Sequence, residues 1–332
     1  MSHRQHPLGT GFTAASTVDD VLAGVDLTGR NIIVTGGHSG LGLVATRALA
    51  GAGASVTVAS RDPERAAAAV AGIERVEVGR LDLLDPASID AFVERYLGSG
   101  RPLHVLINNA GYPAPARIER DARGYEAQLA TNHLGHAQLT LGLHPALRAA
   151  DGARVVTTTS GAQRMSDILW DDPNFTAGGY DPGLAYAQSK TANVLFTVEL
   201  DRRWAGEGIR AYAPHPGIVP ATSFNRSVGE AAQRAMRLID DDGNPVIDPE
   251  HGKKTPEQGA ATIVFAATSS LLADVGGVYL INSDVSPLDE DPRPVDLTGA
   301  DADDVPADVV PHSIDPDSAR RLWALTERLL AA

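Results

Sequence analysis

The sequence predicts an α/β protein with a doubly wound parallel sheet, and three observations carry that prediction. Short apolar runs rich in β-branched residues alternate with segments of helical pattern along most of the chain. A glycine cluster, Gly36, Gly40 and Gly42, sits where the first such run gives way to the first helical pattern. No internal repeat or low-complexity linker divides the alternating region. Alternating strands and helices imply βαβ units and a sheet covered on both faces, hence one Rossmann-type domain with seven strands.

Residues 1–28 read as an N-terminal arm with one short helical patch in "TVDDVLAGV". The Rossmann-type domain is expected over 29–285. "NIIVT" (31–35) is its first strand, followed by the glycine cluster and a helix through Ala52; "ASVTVAS" (54–60) is the second strand. The next helix opens at "DPERAAAAVAG", with Asp62 as N-cap and Pro63 in the first turn. "RVEVGRLDL" is the third strand, and "DPASIDAFVERYL" starts a helix in the same way from Asp85 and Pro86. "LHVLINNAG" is the fourth strand with its turn, a helical pattern covers roughly 119–149, and "ARVVTTTS" is the fifth strand. A long helix is expected at 184–206, a sixth strand at "IRAYAPHPG", a helix at 257–270 and a seventh strand at "GGVYLI".

Two segments break the rhythm. Residues 161–183 form a polar, aromatic-bearing insertion, and residues 217–256 form a long excursion, partly helical at 228–239, expected to be a substrate lid. Residues 286–332 are an acidic, proline-rich loop and an amphipathic helix, "DSARRLWALTERLL". Its Leu322, Trp323, Leu325, Leu329 and Leu330 are expected to dock on the core of their own subunit in preference to a partner.

Composition narrows the function. The chain has 332 residues with 28 Lys+Arg against 42 Asp+Glu, a net charge of −14, which disfavours nucleic acid and anionic membranes as partners. It has no cysteine, which excludes disulfides, thiolate catalysis and cysteine-bound zinc. "MSHRQHPLGTGF" lacks the apolar core of a secretory signal, and no long apolar stretch is free of charge, so a cytoplasmic location without a membrane span is expected. His133 and His136 lack convergent acidic or cysteine partners, so no metal is expected.

"VTGGHSGLG" (34–42) reads T-G-x-x-x-G-x-G between a strand and a helix. Glycines there let the backbone turn and approach a pyrophosphate, and the helix N-terminus offers free N–H groups, so Gly36, His38, Ser39, Gly40, Leu41 and Gly42 are candidate cofactor contacts. At the end of the second strand an acidic residue would favour NAD, whereas an arginine accommodates a 2′-phosphate. Here Ser60 and Arg61 occupy that place and Asp62 is better explained as a helix cap, so NADP(H) is favoured over NAD(H); the competing reading makes Arg61 a solvated surface charge. Asp82, beside Leu83, would bond the adenine edge or cap a turn. In "NNAG" (108–111), Asn109, Ala110 and Gly111 permit close approach to the cofactor, while the asparagines can also tie neighbouring strands.

The chain uses arginine almost throughout and has three lysines, Lys190, Lys253 and Lys254. Lys190 lies four residues after Tyr186 on the expected long helix, on the same face. A nearby ammonium favours a phenolate, which would make Tyr186 a general acid or base at neutral pH. A compact ammonium can also touch both a tyrosine and a ribose, as a planar guanidinium cannot. Ser160 ends the fifth strand, at the same carboxyl edge of the sheet as the glycine loop, "NNAG" and Tyr186, where open α/β sheets bind ligands.

Taken together, T-G-x-x-x-G-x-G at 35–42, N-N-A-G at 108–111, Asn132 in "TNHLGH", Ser160, Y-x-x-x-K at 186–190 and "HPG" at 215–217 resemble a short-chain dehydrogenase/reductase over roughly residues 28–285. The spacing from Ser160 to Tyr186, "AYAQSKTANVLF" and "TNHLGH" are most similar to the retinol-dehydrogenase and protochlorophyllide-reductase-like branch. The resemblance implies that Tyr186 moves the proton and that Lys190 lowers its pKa and holds the nicotinamide ribose. It implies that Ser160 bonds the substrate carbonyl, and that Asn132 holds the helix geometry and a relay water. Pro216, Gly217, Val219 and Thr222 would meet the nicotinamide carboxamide, although Thr222 stands one place later than the family pattern. Three consecutive threonines, Thr157 to Thr159, precede Ser160, so Thr159 is a candidate to share its work. The substrate pocket is expected from Tyr112, Pro113, Trp170, Phe175, Tyr180, Phe224 and Met236, which suit a mainly apolar carbonyl compound or alcohol. Reduction of an activated C=C bond and a non-catalytic NADP-sensing module are the alternatives. The resemblance also implies a homodimer or homotetramer.

Overall fold

A computed structural model describes residues 5–220, 222 and 229–331. Its eight-stranded sheet has the order β3-β2-β1-β4-β5-β6-β7-β8. The strands are β1 (Asn31–Thr35), β2 (Ser55–Ser60), β3 (Val76–Arg80), β4 (Val105–Asn108), β5 (Ala153–Thr157), β6 (Ile209–His215), β7 (Val278–Ile281) and β8 (Asp284–Val285). The first seven pair in parallel and match the expected seven. The eighth is an addition: Asn282 (φ 52°) and Ser283 (φ 58°) make a two-residue turn of left-handed residues that folds β8 back antiparallel on β7.

The helices are α1 (Val18–Leu22), α2 (Gly40–Gly51), α3 (Pro63–Ala69), α4 (Pro86–Gly98), α5 (Ala127–Leu129), α6 (His136–Gly142), α7 (His144–Arg148), α8 (Pro182–Trp204), α9 (Glu230–Ala235), α10 (Pro256–Thr268), α11 (Pro311–Ile314) and α12 (Pro316–Leu330). Several starts follow the sequence signals. The Asp62 carboxylate accepts from Arg65 N at 3.0 Å and the Asp85 carboxylate from Ala87 N at 3.0 Å, each ahead of a proline. Asp181 likewise accepts from Leu184 N at 2.7 Å, which starts the long helix two residues before the expected 184.

The helical pattern expected over 119–149 needs correction. Asp121 accepts from Arg123 N and Tyr125 N, both at 2.9 Å, and Gly124 has φ 89°, so 121–125 is a turn and regular helix begins only at Ala127. Between α5 and α6 the chain widens into a π-helical turn, Ala130–Gly135, which carries Asn132.

Two cores cover the two sheet faces. Leu49 of α2, Ala66 of α3 and Phe265 of α10 belong to one, together with Val18 and Val21 of α1 from the N-terminal arm. Phe92 of α4, Leu139 of α6, Phe196 of α8 and Leu322 and Trp323 of α12 belong to the other. The terminal helix therefore docks on its own chain, as expected: Trp323 stacks on Phe196 with ring centroids 5.3 Å apart, and Thr326 Oγ1 bonds His133 Nε2 at 2.7 Å. The arm is fixed at the β7–β8 end of the sheet, where Gln5 bonds the Tyr279 backbone in both directions, at 2.9 and 3.1 Å. The ends of the 217–256 segment meet in a bridge between Ile218 and Lys253. No helix among the described residues is long and apolar enough to cross a membrane.

Candidate active site

The carboxyl ends of β1, β4, β5 and β6 bring the expected residues to one edge. Thr35, the last residue of β1, joins two of the motifs. Its Oγ1 accepts from Asn109 N at 2.9 Å and Ala110 N at 3.0 Å, while Asn109 Nδ2 donates to Thr35 O at 3.1 Å. Asn108, by contrast, is buried and bonds Thr140 and Thr157, the strand-tying role.

The glycines of the loop divide their work. A Cβ on Gly42 would lie 2.5 Å from Gly36 O, so this glycine lets α2 pack against the turn. Among the described residues, a Cβ on Gly40 (φ 50°) would meet only Thr222 Cγ2, at 3.9 Å. Ser39 and Gly40 are exposed and Leu41 half-buried. The Ser39 side chain makes no capping bond, so the first N–H groups of α2 have no side-chain cap at this position. The buried Nδ1 of His38 has no hydrogen-bond partner among the described residues. Burial, then the charges of Arg65 and Arg61 opposed by Asp62, hold the His38 pKa below its ordinary value. These features fit a phosphate-bearing dinucleotide: an open glycine turn, a helix N-terminus, an orphaned imidazole nitrogen and two guanidinium groups beside it.

Ser60 itself is turned inward, exchanging bonds with the Asp62 backbone at 3.1 and 3.2 Å. Asp82 Oδ1 accepts from Leu84 N at 3.0 Å, the turn-capping alternative, and Leu83 is buried. Pro216 is buried; Gly217 (φ 78°) leads into a turn in which Thr222 donates from its hydroxyl to Val219 O at 3.0 Å.

Ser160 follows β5 and Tyr186 sits near the start of α8; their hydroxyls are hydrogen-bonded. The buried Lys190 Nζ donates to Thr158 O at 3.2 Å and lies 5.5 Å from the centre of the Tyr186 ring. The adjacent Thr159 faces the other way, donating its hydroxyl to Lys190 O at 2.8 Å, so Ser160 is the hydroxyl presented to the tyrosine. Asn132 is fully buried: its Oδ1 accepts from Tyr112 N at 2.8 Å and its Nδ2 donates to Ser189 Oγ at 2.9 Å. The Asn132 carbonyl faces His136 Nδ1 at 3.1 Å, and His136 Nε2 faces Thr35 Oγ1 at 2.9 Å. One chain of bonds thus runs from Thr35 at the end of β1 through His136 and Asn132 to α8, which carries Tyr186.

The short chain dehydrogenase family model matches residues 30–233, more than half of the chain and all of this edge. The chain belongs to the short-chain dehydrogenase family. It is 45% identical over 313 residues to a probable oxidoreductase of Streptomyces lividans, covering 93% of this chain and 100% of that protein. It is 36% identical over 261 residues to human retinol dehydrogenase 12, covering 77% and 78%. Among solved structures, an uncharacterised protein from Mycobacterium Paratuberculosis superposes with a TM-score of 0.70 at 31% identity, over 96% of this chain and 98% of that one. Membership makes the protein an oxidoreductase of the hydride-transfer class, using a nicotinamide cofactor on a small molecule.

Within this short-chain dehydrogenase the buried pair of Tyr186 and Lys190 is shaped by desolvation. Burial pushes the Tyr186 phenol up to about 12, outweighing the lowering by the Ser160 hydrogen bond, and burial pushes Lys190 down to about 8. For the Tyr186 phenol, desolvation is the larger cause and the Ser160 hydrogen bond the opposing one.

The pocket aromatics are placed unevenly. Tyr112 is half-buried, with its hydroxyl on Glu119, and Pro113 is exposed. Trp170 packs on the core beneath Arg321, whose guanidinium is 4.2 Å from its ring centre, and Phe175 is buried edge-on to Tyr180 at 5.3 Å. Both are therefore engaged by the protein's own side chains. Met236 is half-buried, and Phe224 lies outside the described residues. Sequence reasoning missed Thr35 and His136 as connectors and Arg65 as a second charge bearing on His38. Only Arg65 left a signal, one helical turn beyond Arg61.

Proposed function

We propose that this chain is an NADP(H)-dependent dehydrogenase/reductase that interconverts a carbonyl and an alcohol on a mainly apolar small molecule, with Tyr186 as proton donor or acceptor. The observation that carries the reading is the hydrogen-bonded Ser160–Tyr186 pair beside the buried Lys190, on the same edge as the open glycine turn. Gly36, Gly40, the α2 N-terminus and His38 would hold the pyrophosphate end, with Arg61 and Arg65 toward a 2′-phosphate. Gly111, Lys190 and the Pro216–Thr222 turn would hold the nicotinamide end. The bound nicotinamide supplies or accepts the hydride.

In reduction the Tyr186 hydroxyl gives its proton to the substrate oxygen as negative charge develops there, and the Ser160 hydroxyl donates a second hydrogen bond to that oxygen. The Lys190 ammonium, fixed on Thr158 O, offsets the charge left on the phenolate. Asn132 and His136 position the helix turn beneath Tyr186, the Asn132 side chain through one bond at its oxygen and one at its nitrogen. With the phenol pushed up to about 12, Tyr186 is protonated at neutral pH and ready for the reducing direction; alcohol oxidation, which needs the phenolate, should rise as pH increases. The reading includes a cytoplasmic setting and a homodimer or homotetramer. Because α12 covers α8, an association through the long helices has to include α12 or displace it.

The test is NADPH consumption, followed by absorbance, with a panel of ketones, aldehydes and enones. Turnover of saturated ketones or aldehydes supports the reading. Turnover confined to enones, giving saturated carbonyl products, would replace it with C=C reduction, and none across the panel would favour a binding module.

A further inference from the structure

Past the Gly217 turn, the carboxyl ends of β6 and β7 border a second cavity of about 320 Å³, with His215, Lys254 and Asn282 among its walls. Lys254 is 2% exposed, and its Nζ donates to Asn282 Oδ1 at 2.6 Å. No carboxylate among the described residues lies within ion-pair distance of it, although an ammonium carries three donors. An ammonium buried without a counter-charge is expensive to hold, and burial pushes Lys254 down to about 8. His215 is 5% exposed, and its Nδ1 accepts from Gly161 N at 3.2 Å. That bond puts the ring proton on Nε2, a donor with no acceptor among the described residues.

The acidic residues of the cavity do not neutralise Lys254. Glu250 and Asp304 are exposed, and Arg293 is already paired with Asp301. Asp308 has its carboxyl pushed up by burial. The interior therefore combines one unpaired positive charge with a second, neutral N–H donor, because burial pushes the His215 pKa down to about 3. Two donors and a single charge complement a carboxylate, whereas a phosphate dianion would bring an excess negative charge among three carboxyl groups. The cavity is also remote from Arg61: β2 and β6 are four strand steps apart in the sheet, roughly 19 Å.

We propose that this cavity binds a carboxylate-bearing small molecule, held by the Lys254 ammonium and His215 Nε2–H. The same two residues touch the reacting edge. His215 fixes the backbone of Gly161, the neighbour of Ser160, and the Lys254 side chain packs where a Gly217 Cβ would be, 3.0 Å from Cδ. The carboxylate belongs either to the substrate of the nearby site or to a separate small acid that steadies the Ser160 turn.

The three lysines make the test direct. The full chain, labelled with ¹³Cε and ¹⁵Nζ lysine, gives three side-chain signals, assigned with Lys254→Met and Lys253→Arg. Sodium succinate is titrated in, with sodium chloride at matched ionic strength and neutral succinamide as controls. The expected result is a saturable shift of the Lys254 signal with succinate alone, while the Lys253 signal stays within its chloride control. A thermal shift with succinate that Lys254→Met loses would support the same conclusion, given a wild-type circular dichroism spectrum for that variant. An unmoved Lys254 signal, or equal movement in chloride, overturns the proposal, and the wild-type titration decides this even if the variant does not fold. Succinate that competes with the carbonyl substrate found in the NADPH panel identifies the substrate's own carboxylate; saturable binding without competition identifies a separate acid.

Discussion

Lys190 is one of three lysines in a chain that otherwise uses arginine, and its surroundings explain the choice. Its Nζ reaches Thr158 O under the Tyr186 ring inside a buried slot. A planar guanidinium keeps the charge but not the shape, so Lys190→Arg is expected to lower kcat by about 10²-fold or more, the range of a lost acid–base contribution. Near-normal kcat would assign the lysine a different role. At the glycine loop, Arg61 and Arg65 both bear on His38. Arg61→Asp combined with Arg65→Ala should invert the ratio of kcat/KM for NADPH over NADH, and an unchanged ratio would remove both residues from 2′-phosphate recognition. That Arg61 follows the second strand was legible in the sequence. That Arg65 also bears on His38 was not, because it depends on how α3 is set against the glycine loop, a tertiary fact.

At the scale of elements, local signals carried far and long-range bonds did not. The Asp-Pro pairs at 62–63 and 85–86 announced α3 and α4, and apolar β-branched runs announced seven strands. The π-helical turn at Ala130–Gly135 was read as ordinary helix, since its widening brings Asn132 to Tyr112 N and Ser189, partners far away in sequence. β8 was missed because a two-residue strand has no periodicity; only the left-handed Asn282–Ser283 turn marks it. The docking of α12 was legible from its apolar stripe. Trp323 is 4% exposed, stacked on Phe196, edge-on to Trp204 at 6.3 Å and capped by Arg203 at 4.4 Å. Trp323→Ala should therefore cost about 3–5 kcal/mol in urea unfolding. A loss below about 1 kcal/mol would mean that α12 contributes little to the fold.

At the scale of the whole molecule, three buried histidines set an acid limit on stability. Burial pushes His133 and His215 down to about 3 and His136 to about 4, from an ordinary value of 6.5. The unfolded chain binds protons at these sites between pH 6.5 and about 4 while the folded chain does not, so stability is full above 6.5 and falls as pH drops through that window. At pH 5 the loss is about 2 kcal/mol per histidine. Urea unfolding at pH 7.5 and pH 5 checks this, and equal stability at both would contradict the burial of the three rings. His136 also joins the end of β1 to the π-helical turn beside α8, so the glycine loop and Tyr186 share one edge of the fold. The most direct measurement on that edge is Tyr186→Phe, assayed for turnover of a substrate found in the NADPH panel and for NADPH binding by fluorescence titration. The account predicts kcat reduced by about 10²–10⁴-fold or more with NADPH affinity within a few-fold of wild type; turnover at the wild-type rate would contradict it.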